Sequence, residues 1–323
     1  MAKSNTDYFG FLAIDKPSGI TSHDVVARVR RRLNVKQVGH AGTLDPMATG
    51  VMVVAVGKAC RLLRFLKSDK TYQAKVLLGR TTDTDDVQGK SITEAAIEPA
   101  DFPDRDKIDK ALDSFRGQID QLPPLYSAIH VEGKRLYEMA RSGEAQKDSV
   151  AKLVQARPVT IYSLSLDAIA SPCIDLTVHC SGGTYIRSIA RDLGQALGPG
   201  ACLAALKRTK SGDVNLGDCV PLQDFMESEA IEGKFEDVLL NAQDLMPMPK
   251  IEVGAEIIKK ILRGQIFEIP ASEHAKLPDA EHAQDESYVY VTESGTDKCV
   301  CIGVRKKTTP SLIKPEVVLV TNQ

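Results

Sequence analysis

The stretch Gly39-His-Ala-Gly-Thr-Leu-Asp-Pro-Met-Ala-Thr-Gly50, followed at once by Val51-Met-Val-Val-Ala-Val56, constrains this chain more than any other part of it. Six consecutive apolar residues between Gly50 and Lys58 read as a strand with no polar face, which belongs inside a folded domain. The run is far short of the roughly 20 apolar residues needed to cross a bilayer. Three glycines in the preceding twelve residues allow positive φ or close approach to a ligand, while Pro46 restricts the backbone right after Asp45. The Asp45 carboxylate is therefore carried on a stiff rim beside a buried strand. Such a place suits a nucleophile or a general base. It equally suits a turn or cap residue, and the pattern leaves both readings open. His40 in the same loop either orients a phosphate or holds the loop by hydrogen bonds.

A length of 323 residues predicts about two domains with room for a sizeable core. Ordinary apolar and charged fractions, 43% and 26%, set aside gross disorder and fibrous repeats. No secretory pattern opens the sequence, and the seven cysteines form no CxxC, so a reducing, cytoplasmic setting is expected. The formal net charge is only -2, yet it is unevenly distributed. Residues 28–80 hold twelve Lys or Arg against Asp45 and Asp69, whereas residues 81–120 hold eleven acids against five bases. A focused basic face favours a polyanionic partner over a merely solvated surface. Arg31 and Arg32 lie in its first helix and are candidate phosphate contacts.

Periodicity predicts a strand over 9–14, stopped by Asp15-Lys16-Pro17. A helix capped by Thr21 or Ser22 follows, with Val25, Val26, Val29 and Leu33 on its apolar side. Residues 38–50 read as loop, 60–66 as a short basic helix and 71–79 as a strand. A short helix is expected over 136–140. Neighbouring strands are expected over 159–169 and 174–180, and a helix over 184–197 ended by Gly198-Pro199-Gly200. Pro247 and Pro249 mark a boundary, giving units 1–248 and 249–323. The second unit has a short helix and β segments near 265–269, 287–292, 298–304 and 316–321.

Tyr72, in a chain with 16 aromatics and no Trp, lies between Lys70 and Lys75, an interleaving that stacks a base over a charged groove or else packs a core. Tyr185 and Arg187 share a side only if that segment is extended; on a helix they diverge. Arg187 offers a fork to a carboxylate or phosphate, or is plain surface. Asp83, Asp85 and Asp86 invite a divalent metal and a hydrolase, but the spacing lacks the ligands of an EF-hand. The cysteines lack partners at zinc spacing, and no P-loop, Rossmann fingerprint or nucleophile elbow is present.

An ordered set of motifs across 9–210 resembles the TruB-type pseudouridine synthases that isomerise uridine 55 in the tRNA T loop. It comprises Gly10-Phe-Leu-Ala-Ile-Asp-Lys-Pro-Ser-Gly-Ile-Thr-Ser22, the Gly39 to Gly50 loop, Lys70-Thr-Tyr72 and Thr82-Asp-Thr84 to Gly89. It continues with Gln121-Leu-Pro-Pro-Leu-Tyr-Ser-Ala128, Gly133-Lys-Arg-Leu-Tyr137, Cys180-Ser-Gly-Gly-Thr-Tyr-Ile-Arg187 and Leu203-Ala-Ala-Leu206-Lys-Arg208.

The resemblance implies an α+β architecture: a mixed, largely antiparallel pseudouridine synthase catalytic fold, with a small C-terminal PUA-like RNA-binding domain. It makes Asp45 the catalytic aspartate, Tyr72 the ring that stacks on the target base and Arg187 the partner of the carboxylate. His40 is associated with the flipped-out nucleotide, Leu206 is an apolar wall of the uracil pocket and Tyr185 supports that pocket. No cofactor is implied. The partner is the tRNA T arm, with no membrane, no obligatory protein partner and a monomeric state expected. Two positions depart from the family pattern: His130 stands where relatives commonly have Lys, and Gln88 where an acid is frequent. The competing readings are a noncatalytic tRNA-binding or folding protein, an RNA-guided synthase component and a metal-dependent hydrolase.

Overall fold

The computed structural model describes residues 8–127, 130–131, 134–135, 155–227, 238–246, 248–278 and 285–320. The helix expected over 136–140, most of the Gly133 to Tyr137 motif, the side chain of His130 and the boundary residue Pro247 lie outside the described residues.

Two sheets dominate. The larger contains β1 (Gly10–Lys16), β2 (Val38–His40), β3 (Thr49–Val56), β4 (Lys70–Leu78), β5 (Gly117–Gln121), β6 (Arg157–Ala170), β7 (Cys173–Cys180), β8 (Ala201–Ser211), β9 (Val214–Asn215) and β10 (Val220–Pro221). Its spatial order is β10-β1-β3-β8-β4-β7-β6-β5, with β2 paired to β3 and β9 to β8. Only the β1–β10 and β3–β8 pairs are parallel, so the sheet is largely antiparallel and the architecture α+β. The smaller sheet runs β11 (Lys250–Val253), β13 (Glu286–Glu293), β14 (Cys299–Lys306), β15 (Thr309–Val318) and β12 (Phe267–Glu268) in that order.

The apolar run at 51–56 is explained by what covers each face of β3. Val51, Val53 and Ala55 join the core shared with Tyr290, Ile302, Val317 and Leu319 of the small unit. Met52, Val54 and Val56 pack with Val25, Val26, Val29 and Leu33 of helix α1 (Ser22–Leu33) and with Phe225 of α4 (Leu222–Glu227). On β4 only one face is buried: Tyr72, Ala74, Val76 and Leu78 face the core that also holds Ile108 and Leu112 of α2 (Arg105–Asp113) and Ile186, Ile189 and Leu193 of α3 (Ile186–Leu197). The helix α5 (Ala255–Leu262) covers the small sheet with Ile261.

Several boundaries differ from expectation. β1 runs through Lys16 rather than stopping before Asp15, because the Lys16 side chain is fully buried and its ammonium finds carbonyl partners. Thr21 is the helix cap, exchanging hydrogen bonds with Asp24 in a capping box. The start of the expected 38–50 loop forms β2 against β3. Gly57–Phe65 is a 3-10 helix. Helix α3 begins at Ile186, two residues later than expected, and β15 begins at Thr309, well before 316.

Gly50 shows how closely the strands approach beside the rim loop. Its φ is +100°, and a Cβ there would sit 2.2 Å from the Arg208 carbonyl oxygen, a backbone atom. Gly50→Ala is expected to cost about 3 kcal/mol or more, read as a lowered urea midpoint with unchanged m-value. A midpoint within error of the wild type would contradict this packing.

Candidate active site

The loop between β2 and β3 is buried from below, so its carbonyls require donors from within the protein. Lys16 Nζ donates to the carbonyls of Pro17 at 2.9 Å, Ile20 at 2.7 Å and Pro46 at 3.3 Å. Ser22 Oγ donates to the Leu44 carbonyl at 3.1 Å and accepts from the Leu44 N–H at 2.8 Å. Arg208, 1% exposed, donates Nε to the Val51 carbonyl at 2.6 Å, Nη1 to Thr43 at 3.3 Å and Nη2 to Gly42 at 3.2 Å. Three buried donor side chains thus set the loop that carries Asp45. Burial lowers the Lys16 ammonium to about 8, against the pull of the Asp45 charge.

Above this floor Arg187 grips Asp45 with a two-pronged contact, Nε to Oδ2 at 2.9 Å and Nη2 to Oδ1 at 3.1 Å. The Arg187 side chain is 6% exposed and that of Asp45 is 30% exposed, so the cation is enclosed while its partner still faces the cleft. Two further Arg187 N–H groups donate to the carbonyls of Thr84 at 2.9 Å and Tyr126 at 3.1 Å. Asp86 stands 3.9 Å from Nε, held by Thr84 Oγ1 at 2.7 Å and the Gln88 N–H at 3.0 Å. Asp85 pairs with Arg191 at 3.0 Å. The acidic turn that invited a metal instead spends two carboxylates on arginines of α3.

A cleft of about 660 Å³ opens over Asp45 and is lined by Tyr72, Leu206, His40, Tyr185, Lys70 and Arg208 among others. Asp45 is the only carboxylate among the lining residues described. Tyr72 sits on β4 opposite Arg208 of β8, and burial pushes its phenol up. Leu206 lies opposite Ala74 two residues along, giving the pocket an apolar wall. Tyr185 is the extended residue before α3, and its backbone is clasped by the buried Gln121 amide, which donates to its carbonyl at 3.0 Å and accepts from its N–H at 2.7 Å. The chain turns from extended to helical between Tyr185 and Arg187, which lets both reach one cleft. Burial, then the nearby Arg208 charge, pulls His40 down, so its imidazole is disposed to be neutral at pH 7.

The structure therefore brings Asp45, Tyr72, Arg187, His40, Tyr185 and Leu206 together. Arg31 and Arg32 occupy the last turn of α1 and do not line the cleft. Sequence reasoning assigned no site role to Lys16, Gln121 and Arg208, read Ser22 only as a helix cap and Lys70 only as a cation flanking Tyr72, and so missed what these five do in the site. All but Ser22 are charged or amide side chains in buried places, where hydropathy patterning expects apolar residues.

Comparison with known proteins places this geometry in a family. The chain matches the model of the TruB family pseudouridylate synthase N-terminal domain over residues 30–186 and that of the tRNA pseudouridylate synthase B C-terminal domain over 187–249. Among its relatives are tRNA pseudouridine synthase B of Trichormus variabilis, 46% identical over 80% of this chain and 86% of the relative, and of Gloeothece citriformis, 43% identical over 85% and 86%. The fold also resembles a chain of a crystallised Cbf5-Nop10-Gar1 complex, with TM-score 0.65 and 24% identity, covering 97% of this chain and 85% of that one. The chain belongs to the TruB family of pseudouridylate synthases. The join of the two matched segments falls within one sheet and next to Arg187: β8, from the second segment, lies between β3 and β4 of the first.

Lys70 provides a test of the cleft's electrostatics. It is 7% exposed, donates to the Ser68 carbonyl at 3.0 Å, and is lowered from 10.5 to about 8 by burial and then by Arg208. Below pH 8 the folded state carries this unfavourable charge in full. Between 8 and 10.5 the unfolded state holds the extra proton, so stability rises with pH through that window. Lys70→Met should therefore be more stable than the wild type at pH 7 by on the order of 2 kcal/mol, with the gap narrowing towards pH 10. Urea denaturation across pH reads it; a gap independent of pH would refute the burial argument.

Proposed function

We propose that the Asp45 cleft converts uridine 55 in the T loop of tRNA to pseudouridine. The observation that carries this reading is the Asp45 carboxylate, alone among the described cleft residues, held by an enclosed arginine, with a tyrosine and an apolar wall beside it. The family relatives named above support tRNA as the substrate class.

The reaction breaks the C1′–N1 bond, turns the uracil and forms a C1′–C5 bond, with the C5 proton leaving and a proton taken up at N1. Atoms and electrons balance without an external oxidant or reductant, so no cofactor is required. Asp45, oriented by the two-pronged contact with Arg187, is the nucleophilic or basic group, acting at uracil C6 or at the sugar. Tyr72 supports the detached ring by its face, and its hydroxyl takes part in removing the C5 proton. Leu206 bounds the ring, Tyr185 supports the wall, and His40 meets the flipped nucleotide. The target must leave the loop stack, since its reacting atoms are otherwise covered. Arg31 and Arg32, on the end of α1, contact the T-arm backbone outside the cleft. The same reading treats the protein as a cytoplasmic monomer with no obligatory protein partner.

Asp45→Asn keeps the shape of the side chain and removes its charge. It should lower pseudouridine formation on an unmodified tRNA transcript by on the order of 10³-fold or more while RNA binding persists. Nucleoside analysis with the modified position mapped checks both the chemistry and the site, and near-normal turnover by a folded variant would defeat the assignment. Arg31→Gln combined with Arg32→Gln should weaken tRNA binding and make its salt dependence shallower, by up to about 0.9 in log-log slope per lost phosphate contact. Unchanged affinity at every salt concentration would remove these arginines from the footprint.

A further inference from the structure

The 3-10 helix Gly57–Phe65 touches both the cleft and the small sheet. Its Ala59 and Leu62 are fully buried in the core shared by the two sheets, and Leu63 and Arg64 line the cleft. A 3-10 helix has three residues per turn, so side chains three apart stand one above another. Lys58, Arg61 and Arg64 form such a row, and the row lies along the end of β15. Lys58 Nζ donates to the Leu319 carbonyl at 2.7 Å, Arg61 Nη1 to the Val318 carbonyl, and Arg64 Nη2 to Glu316 Oε1 at 2.7 Å. Among the described residues Arg64 alone in the row meets a carboxylate, and it alone of the three lines the cleft. Its guanidinium carbon lies 4.8 Å from the centroid of the Phe65 ring, and that ring meets Tyr288 edge-on at 4.8 Å.

The guanidinium is thus held by a carboxylate and a ring face. The Arg64 side chain as a whole keeps about half its surface exposed, and among the described residues only one guanidinium N–H is engaged. A long cationic side chain normally loses rotamer freedom when it binds; here much of that ordering precedes the ligand. We infer that Glu316 is a positioning residue of the small sheet that holds Arg64 at the mouth of the cleft to receive a backbone phosphate of the RNA. This rests on the proposed reading of the cleft as a tRNA site. The small unit then acts on the substrate through Arg64 as well as through any surface of its own.

The test uses the full chain as wild type, Arg64→Gln, Glu316→Gln and the double variant. Binding of an unmodified tRNA transcript is measured across salt, together with KM and kcat for pseudouridine formation. Arg64→Gln should flatten the salt dependence by about 0.7 to 0.9 in log-log slope. Glu316→Gln should weaken binding roughly two- to tenfold, chiefly in KM, and should add nothing in the Arg64→Gln background. If Glu316 only repels the polyanion, Glu316→Gln tightens binding equally in both backgrounds, and the inference is overturned. Equal weakening in both backgrounds overturns it too, because the effect would not pass through Arg64. Wild-type protein that shows this coupling but makes no pseudouridine would refute the proposed activity and leave the positioning role standing. Normal activity without the coupling would do the reverse.

Discussion

Burying the Arg187 guanidinium organises this molecule. A cation 6% exposed is tolerable only when it is well paired, and four parts of the chain meet in that pairing. The rim loop supplies Asp45, the acidic turn supplies the Thr84 carbonyl and a nearby Asp86, the segment after β5 supplies the Tyr126 carbonyl, and α3 carries the arginine itself. None of these segments is adjacent to another along the chain. Removing Asp45 would leave an enclosed cation underpaired, so the proposed nucleophile is also a structural partner. The isosteric Asn substitution is for that reason more informative than truncation to Ala.

The rim loop meets the same demand from the opposite side. Lys16, Ser22 and Arg208 answer its carbonyls from β1, α1 and β8, so the backbone beneath Asp45 is set by donors while its carboxylate is set by Arg187. A carboxylate fixed at both ends is preoriented, which favours chemistry on a base that has to be brought to it. The two sheets are likewise not independent bodies. Tyr290, Ile302, Val317 and Leu319 share a core with Phe11, Val51 and Val53, so cutting the chain near residue 249 would expose apolar surface on the larger sheet. The small unit is part of the packing that supports the cleft wall.

Much of the fold was legible because it obeys simple periods. The helical spacing of Val25, Val26, Val29 and Leu33 and the unbroken run at 51–56 each correspond to a buried face in the structure. The strand pair at 157–180 and the helix ending at Leu197 were also readable, the latter from its glycines. Errors cluster where a polar residue is buried. Lys16 read as a strand stop because lysine usually faces water, yet three carbonyls hold it inside. The turn at 83–86 lacked the ligand spacing of an EF-hand, and what its carboxylates do instead was not readable because their partners, Arg187 and Arg191, lie about a hundred residues away.

By itself the sequence determined which residues are chemically capable: a carboxylate on a glycine-rich loop, a tyrosine among lysines, and an arginine after a Gly-Gly turn. Their order along the chain carries the family resemblance. Composition and spacing left Asp45 divided between cap and catalyst and Arg187 between surface and fork. Tertiary structure decided the second, by placing Arg187 within hydrogen-bonding distance of Asp45 and enclosing it. The reason is physical: periodicity reports burial of apolar surface, which is a local property of a strand or helix. Pairing of buried charges depends on distance through space between segments far apart in the chain, and only the packed fold sets that distance.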